Sequence, residues 1–232
     1  YHTDGPLGWS MGAFGPDAHV GVIGLGAGSL AAHSKAGQHL DFFEIDPVVE
    51  RMARRWFTYL PRSPAPVKVI IGDARLELER EPDASYRGLV VDAFSSDSIP
   101  VHLLTKQALE MYFRKLEPEG VVVFHVSNRF FDLRRVLRGH ADALGIHALS
   151  LTWTPTTEQF EKEVALSTRG VVVAKRAETL APWAAQGWVP LDGIIPLEWT
   201  DDRSSLVPLL LAGPPPAPVR APATPAPRTG GT

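Results

Sequence analysis

Short apolar runs alternate with stretches whose apolar positions recur at helical spacing, and the alternation persists through the first 150 residues. Val20–Ile23, Leu40–Glu44, Val67–Ile71 and Leu89–Val91 are short, largely apolar and bounded by Gly, Pro or Asp, which predicts strands. A short helix is expected from Ser29. Pro47 suits the first turn of the next helix, where Val48, Met52 and Trp56 share a face, and Pro61, Pro64 and Pro66 end it. Arg75–Arg80 reads as a short charged helix, and Thr105–Leu116 as a longer amphipathic one. Glu117–Gly120 is a turn into a fifth strand, Val121–Val126. Leu133–Leu144 is helical, with Gly145 suited to its C-terminal cap. Ile146–Trp153 is a sixth strand. Val164–Ser167 and Gly170–Lys175 form a last strand, or two short ones around a turn, and Glu178–Gln186 is a short helix. This order predicts a parallel sheet with helices on both faces.

Three segments follow from the pattern. Residues 1–18 are rich in Gly and Pro and read as a loop. Residues 19–212 carry the alternating elements of one domain. Residues 213–232 are dominated by Pro, Ala, Gly and Thr, too poor in bulky apolar groups to order themselves, so a disordered tail is expected.

Composition narrows the function classes. The 232 residues are 44% hydrophobic and 21% charged, an ordinary globular balance. A net charge of −3 leaves no electrostatic footprint for nucleic acid. The chain has no cysteine, so disulfides and thiolate metal sites are ruled out, and a reducing compartment, the cytoplasm, fits. No stretch approaches the roughly 20 apolar residues of a membrane span. The first residue is Tyr rather than Met, which reads as a fragment or a processed product.

Candidate chemistry gathers at strand ends. The first strand breaks into Gly24-Leu-Gly26-Ala-Gly28, the turn with which a nucleotide-binding α/β domain begins. The spacing is G-x-G-x-G, and Ser29 stands where dinucleotide enzymes want glycine; this form is usual in domains that bind S-adenosylmethionine or a relative. Glu44 lies 18 residues after Gly26, near the distance of a ribose-binding acid. Asp46 precedes Pro47 and reads as a helix cap. Asp73 is placed either to reach an adenine amino group or to cap the next helix, or both. Asp92 ends the fourth strand. Ligands bind beyond the carboxyl ends of such strands, so Glu44, Asp73 and Asp92 converge on one crevice. Like charges brought together cost folding energy. A cationic ligand, a sulfonium nucleoside or a polyamine, would offset it. His102 and His125 are single imidazoles and read as structural. Asp201 and Asp202 read as a capping pair before Ser204–Leu211. No cluster has metal-ligand spacing, so no metal is expected.

These motifs resemble the polyamine aminopropyltransferases, the spermidine synthase family. The resemblance rests on the glycine turn, Glu44-Ile45-Asp46, Gly72-Asp73-Ala74, the loop Asp92–Pro100, Leu103-Leu-Thr and Gly120-Val-Val-Val. Tyr1-His2 with Gly5–Gly8, His125-Val-Ser-Asn128 and Trp199–Asp202 are similar to a bacterial spermidine-synthase-like subgroup often fused to a membrane transporter-like portion. The resemblance implies a class I S-adenosylmethionine-dependent methyltransferase-like (Rossmann-like) fold, a seven-stranded sheet with helices on both faces. It implies that Gly24, Gly26 and Gly28 hold the nucleoside, that Glu44 with Ile45 binds the ribose, and that Asp73 with Ala74 holds the adenine. Asp92 would be the general base, and Tyr1, His2 and Asp97 would meet the amine. The co-substrate would be decarboxylated S-adenosylmethionine or S-adenosylmethionine, the acceptor a putrescine-like small-molecule amine. A homodimer and a membrane portion outside this chain belong to the same resemblance.

The chain departs from the family at three points. Ala27 stands where the family keeps an Asp in the glycine loop. Ser95 occupies the usual place of a second loop acid, with Asp97 two positions on, which either replaces that acid through a longer loop or caps the helix near Ile99. The N-terminal β-hairpin domain is missing. Two other readings follow: a methyltransferase using intact S-adenosylmethionine, and a non-catalytic nucleoside- or polyamine-sensing domain.

Overall fold

The computed structural model describes residues 1–93, 100–128 and 130–210. Asp97 and the proline-rich tail lie outside the described residues. The strands are β1 (His19–Ile23), β2 (His39–Glu44), β3 (Val67–Ile71), β4 (Tyr86–Val91), β5 (Leu116–His125), β6 (His147–Trp153), β7 (Thr168–Ala174) and β8 (Val189–Pro190). They form one sheet in the order β3-β2-β1-β4-β5-β7-β6-β8. The five strands from β3 to β5 run parallel, and β7 is antiparallel to both β5 and β6. Among the described residues the sheet has eight strands rather than the expected seven. The extra one, β8, is a two-residue edge strand on β6, and an edge tolerates the missing N–H of Pro190.

Period-two alternation sorts side chains to two faces. Ile23, Phe43, Leu89, Val91, Val122 and Phe124 face one core, which is closed by α3 (Ala74–Arg80), α4 (Lys106–Lys115) and α5 (Arg134–Leu144). Val20, Val22, Leu40, Phe42, Val90 and Val123 face the other. That side is covered by α1 (Pro6–Ala13), α2 (Pro47–Trp56) through Ala53, and α7 (Ala181–Ala185) through Trp183.

Several sequence expectations need correction. Residues 1–18 are not simply a loop, because Pro6–Ala13 is helical. Gly and Pro give it poor intrinsic propensity. Tertiary burial of Leu7 and Met11, with Phe14 just beyond, provides what propensity does not. The turn expected at Glu117–Gly120 lies inside β5, at an irregularity where pairing with β4 slips from Tyr86–Leu116 to Gly88–Val121. Val164–Ser167 forms no strand. It follows α6 (Thr157–Glu163), whose start is fixed by a capping box between Thr156 and Gln159. The element from Ser29 is a 3₁₀ helix, Ser29–His33.

Candidate active site

The strand order places the chemistry. Asp73, Glu44, Gly24, Asp92 and His125 follow or end β3, β2, β1, β4 and β5, so they stand side by side along the carboxyl edge of the sheet. Beyond that edge lies a cavity of about 380 Å³. Gly24, Gly26, Ala27, Glu44, Ile45, Asp73, Ala74 and Asp92 line it, together with Tyr1 and His102. The sequence-predicted Gly28 and His2 do not.

The glycine turn is braced from both sides. Gly24 has φ +98°, and a Cβ there would lie 2.5 Å from the Asp92 carbonyl oxygen. Glycine is therefore required both by its conformation and by the approach of the Asp92 backbone. Gly28 closes the turn by donating its N–H to the Leu25 carbonyl at 2.8 Å, and packs under Leu60 rather than facing the cavity. Glu44 is buried. Its Oε2 accepts from the Leu25 N–H and its Oε1 from the Asp46 N–H, each at 3.0 Å. The carboxylate is thereby tied to the glycine turn, and a carboxylate has further lone pairs for a diol.

Asp46 caps α2, accepting from the Val48 N–H at 2.7 Å. Asp73 caps α3, its Oδ1 accepting from the Arg75 and Leu76 N–H groups. Its Oδ2 lies 3.3 Å from His102 Nε2, which brings that half-exposed imidazole to the cavity rim. The cap accounts for Asp73 Oδ1, while Asp73 itself still lines the cavity.

At Asp92 the structure brings together Tyr1, expected at the amine, and His125, which the sequence reads as structural. The Tyr1 hydroxyl reaches both carboxylate oxygens at 2.6 Å. His125 Nδ1 lies 2.9 Å from Oδ1, and its Nε2 lies 2.8 Å from Ser127 Oγ. Burial first, then the Asp92 charge and hydrogen bond, push the Tyr1 phenol well above its ordinary range, so it is a neutral donor. The signal for His125 is topological: β4 and β5 pair with Val91 opposite Phe124, so Asp92 and His125 come next in register.

Tyr1 is held by its surroundings. Its carbonyl accepts from His33 Nε2 at 3.1 Å. Gly8 of α1 lies against the His2 carbonyl so closely that a Cβ would overlap it. His2 turns away from the cavity, stacks on Trp153 at 4.7 Å and points Nε2 at Glu163. Asp201 is not a cap. It takes a bidentate clamp from Arg75 at 2.8 and 2.6 Å and a hydrogen bond from the Thr105 hydroxyl. The hydrogen bond from Arg75 is the main cause holding its carboxyl below the usual range. Asp202 is exposed. Among the described residues no group of three His, Cys, Asp or Glu side chains is arranged to hold a metal ion, and no helix is long and apolar enough to cross a membrane.

No family model matches the chain. Over 107 residues it is 36% identical to a polyamine aminopropyltransferase of Vibrio vulnificus, a match covering 44% of this chain and 35% of that protein. Over 111 residues it is 34% identical to an N-terminal histidine N-methyltransferase of Emericella nidulans, covering 46% of this chain and 19% of that protein. The matches thus span well under half of either relative. Among solved structures, a probable spermidine synthase from Corynebacterium glutamicum superposes with a TM-score of 0.58 at 16% identity, covering 86% of this chain and 79% of that one. Spermidine synthase from Thermotoga maritima gives 0.57 at 14% identity, covering 85% and 65%. A precorrin-6y C5,15-methyltransferase from Geobacter metallireducens gives 0.52 at 15%, covering 73% and 86%. The fold is that shared by spermidine synthases and class I methyltransferases, and these relatives and neighbours are transferases.

Proposed function

We propose that this chain is the nucleoside-binding, catalytic domain of a spermidine-synthase-like aminopropyltransferase. In this reading the domain comprises residues 19–212, with residues 1–18 folded onto it. The observation that carries it is the cavity at the strand ends, lined together by the glycine turn, Glu44, Asp73 and Asp92. The residues fit a sulfonium nucleoside. Glu44 would accept from the ribose hydroxyls, Asp73 with Ala74 would meet the adenine, and Ile45 supplies an apolar wall. Acidic groups around the crevice favour a cation, which suits both the donor and a putrescine-like amine. Asp97 would add to that charge in the amine subsite.

Asp92 would act as general base. An amine is nucleophilic only when deprotonated, and a carboxylate within hydrogen-bond reach can take the proton and aim the lone pair. The amine nitrogen forms a bond to the propyl carbon beside the sulfonium, and the carbon–sulfur bond breaks. The electron pair stays on sulfur, leaving neutral methylthioadenosine; the proton on Asp92 is the one taken from the incoming ammonium, and the product leaves as a secondary ammonium. No acid is needed for that leaving group. Tyr1, protonated and bonded to both oxygens, would hold the carboxylate in place. The reading extends to a cytoplasmic site of action, a homodimer, and a membrane portion in the same polypeptide. Sedimentation and fractionation of the native protein test these.

A second reading is favoured by one observation. Ala27 lines the cavity without a carboxylate to hold the free amine of a decarboxylated donor. It predicts methyl transfer from intact S-adenosylmethionine. Mass analysis of the amine product separates the two, as an added aminopropyl or an added methyl group.

A further inference from the structure

We propose that His125 is a positioning residue for Asp92, locked as the Nδ1–H tautomer by Ser127 so that it donates to Oδ1 and fixes the carboxylate plane. This rests on the reading of Asp92 as the base at this site.

Four observations lead there. Parallel pairing of β4 with β5 runs to Val91–Phe124, so the two residues that follow stand side by side at the edge of the sheet. The side chains of His125 and Asp92 are only 12% and 11% exposed, which leaves little water to replace the contact. Ser127 Oγ accepts the backbone N–H of Arg169, on β7, at 2.7 Å. One of the hydroxyl's two acceptor sites is thereby taken, and in this assignment its proton is given to His125 Nε2, 2.8 Å away. Nε2 is then an acceptor, and the imidazole proton sits on Nδ1, 2.9 Å from Asp92 Oδ1. Donation therefore runs one way, from the β7 backbone through the Ser127 hydroxyl and the imidazole to the carboxylate.

The consequence is geometric. Carboxyl torsions are broad, so a carboxylate held by one group can swivel. Tyr1 bridges both oxygens, and its own ring meets the His125 ring edge-on at 5.5 Å. With His125 on Oδ1 as well, the plane is fixed and Oδ2 keeps acceptor capacity toward the cavity. Misplacing a reacting group costs rate far more than binding. His125 thus acts through Asp92 and touches no reacting atom in this assignment.

The test has a structural arm and a kinetic arm. Long-range proton–nitrogen NMR on histidine-labelled protein at neutral pH is expected to show His125 with Nδ1 protonated and Nε2 bare. In Ser127→Ala the Nε2 signal is expected to shift, because Nε2 loses the hydroxyl donor while Asp92 still accepts from Nδ1. An Nε2–H signature in the wild-type protein, or an unchanged spectrum in Ser127→Ala, would overturn the proposal. This arm needs no substrate, so it stands even if the aminopropyltransferase reading fails. In the kinetic arm, His125→Ala is expected to lower kcat roughly 10- to 100-fold while donor affinity is kept. His125→Asn, which returns an N–H near the Nδ1 position, is expected to recover most of the loss. Equal kcat in wild type and His125→Ala, or a loss that Asn does not rescue in a folded protein, would also overturn it.

Discussion

Replacing Glu44 with Gln tests the ribose assignment and the brace of the glycine turn together. The wild-type carboxylate is buried and accepts one backbone N–H on each oxygen, from Leu25 and Asp46, each at 3.0 Å. A carboxamide offers one oxygen. Its NH₂ would face the other N–H, leaving a buried donor without a partner, at a cost of about 1–3 kcal/mol. For a chain of this length each kcal/mol moves Tm by about 2–4 °C, so a fall of roughly 2–12 °C is expected. A ribose hydroxyl bonded to a charged acceptor contributes about 1.5–3 kcal/mol, so Kd for methylthioadenosine should rise roughly 10- to 150-fold. Differential scanning calorimetry reads the first effect and titration calorimetry the second. A lower Tm with unchanged Kd would refute the ribose role and leave Glu44 as a brace only. Unchanged values of both would refute the whole derivation.

Three further outcomes follow from the geometry. Gly24→Ala should destabilise the protein more than Gly26→Ala. Both positions have positive φ, at about 1–2 kcal/mol for a side chain, but only at Gly24 would the new Cβ meet the Asp92 backbone; equal Tm values would contradict this. The His19–Asp41 pair at the opposite end of the sheet, 2.8 Å apart, should make stability pH-dependent. The hydrogen bond to Asp41 raises the His19 pKa. Burial would raise that of Asp41, but hydrogen bonds from His19 and Tyr86 outweigh it and hold it low. The His19 contribution is complete below about pH 6.5 and fades as pH rises through its folded value. The Asp41 contribution is complete above about pH 3.9 and fades as pH falls through its folded value. The pair therefore helps most between those limits, and His19→Gln should flatten the alkaline decline of Tm; parallel wild-type and variant curves would refute it. Arg75→Ala should loosen the segment carrying Trp199 and Asp201, with a stability loss of about 0.5–1 kcal/mol given its partial exposure. Faster proteolytic cleavage after residue 190 is the expected sign, and unchanged cleavage the contrary one.

The fold was largely legible because its strands are short apolar runs bounded by Gly, Pro and Asp. β3 lies at Val67–Ile71, as its pattern predicts. The elements missed are those without such a pattern. α1 is held by tertiary contacts of Leu7 and Met11 despite weak propensity. α6 buries none of its residues and is specified by Thr156 and Gln159, a local signature that the apolar period does not register. At the site, Glu44, Asp73 and Asp92 were legible as strand-end acids, and all three line one cavity. His125 and Asp201 were not, for the same reason: each is defined by a partner distant in sequence. Asp92 meets His125 through strand register, and Arg75 meets Asp201 across 126 residues. Position in the chain shows that a residue ends a strand; only strand order shows what stands beside it.

In the proposed function, the crevice along Asp73, Glu44, Gly24 and Asp92 binds a sulfonium nucleoside and passes an aminopropyl group to an amine. Incubating the protein with decarboxylated S-adenosylmethionine and putrescine, then analysing products by mass, tests it most directly. The wild-type chain is expected to give spermidine and methylthioadenosine in equal amounts, and Asp92→Asn neither. A methylated amine from intact S-adenosylmethionine, or product formation undiminished in Asp92→Asn, would contradict it.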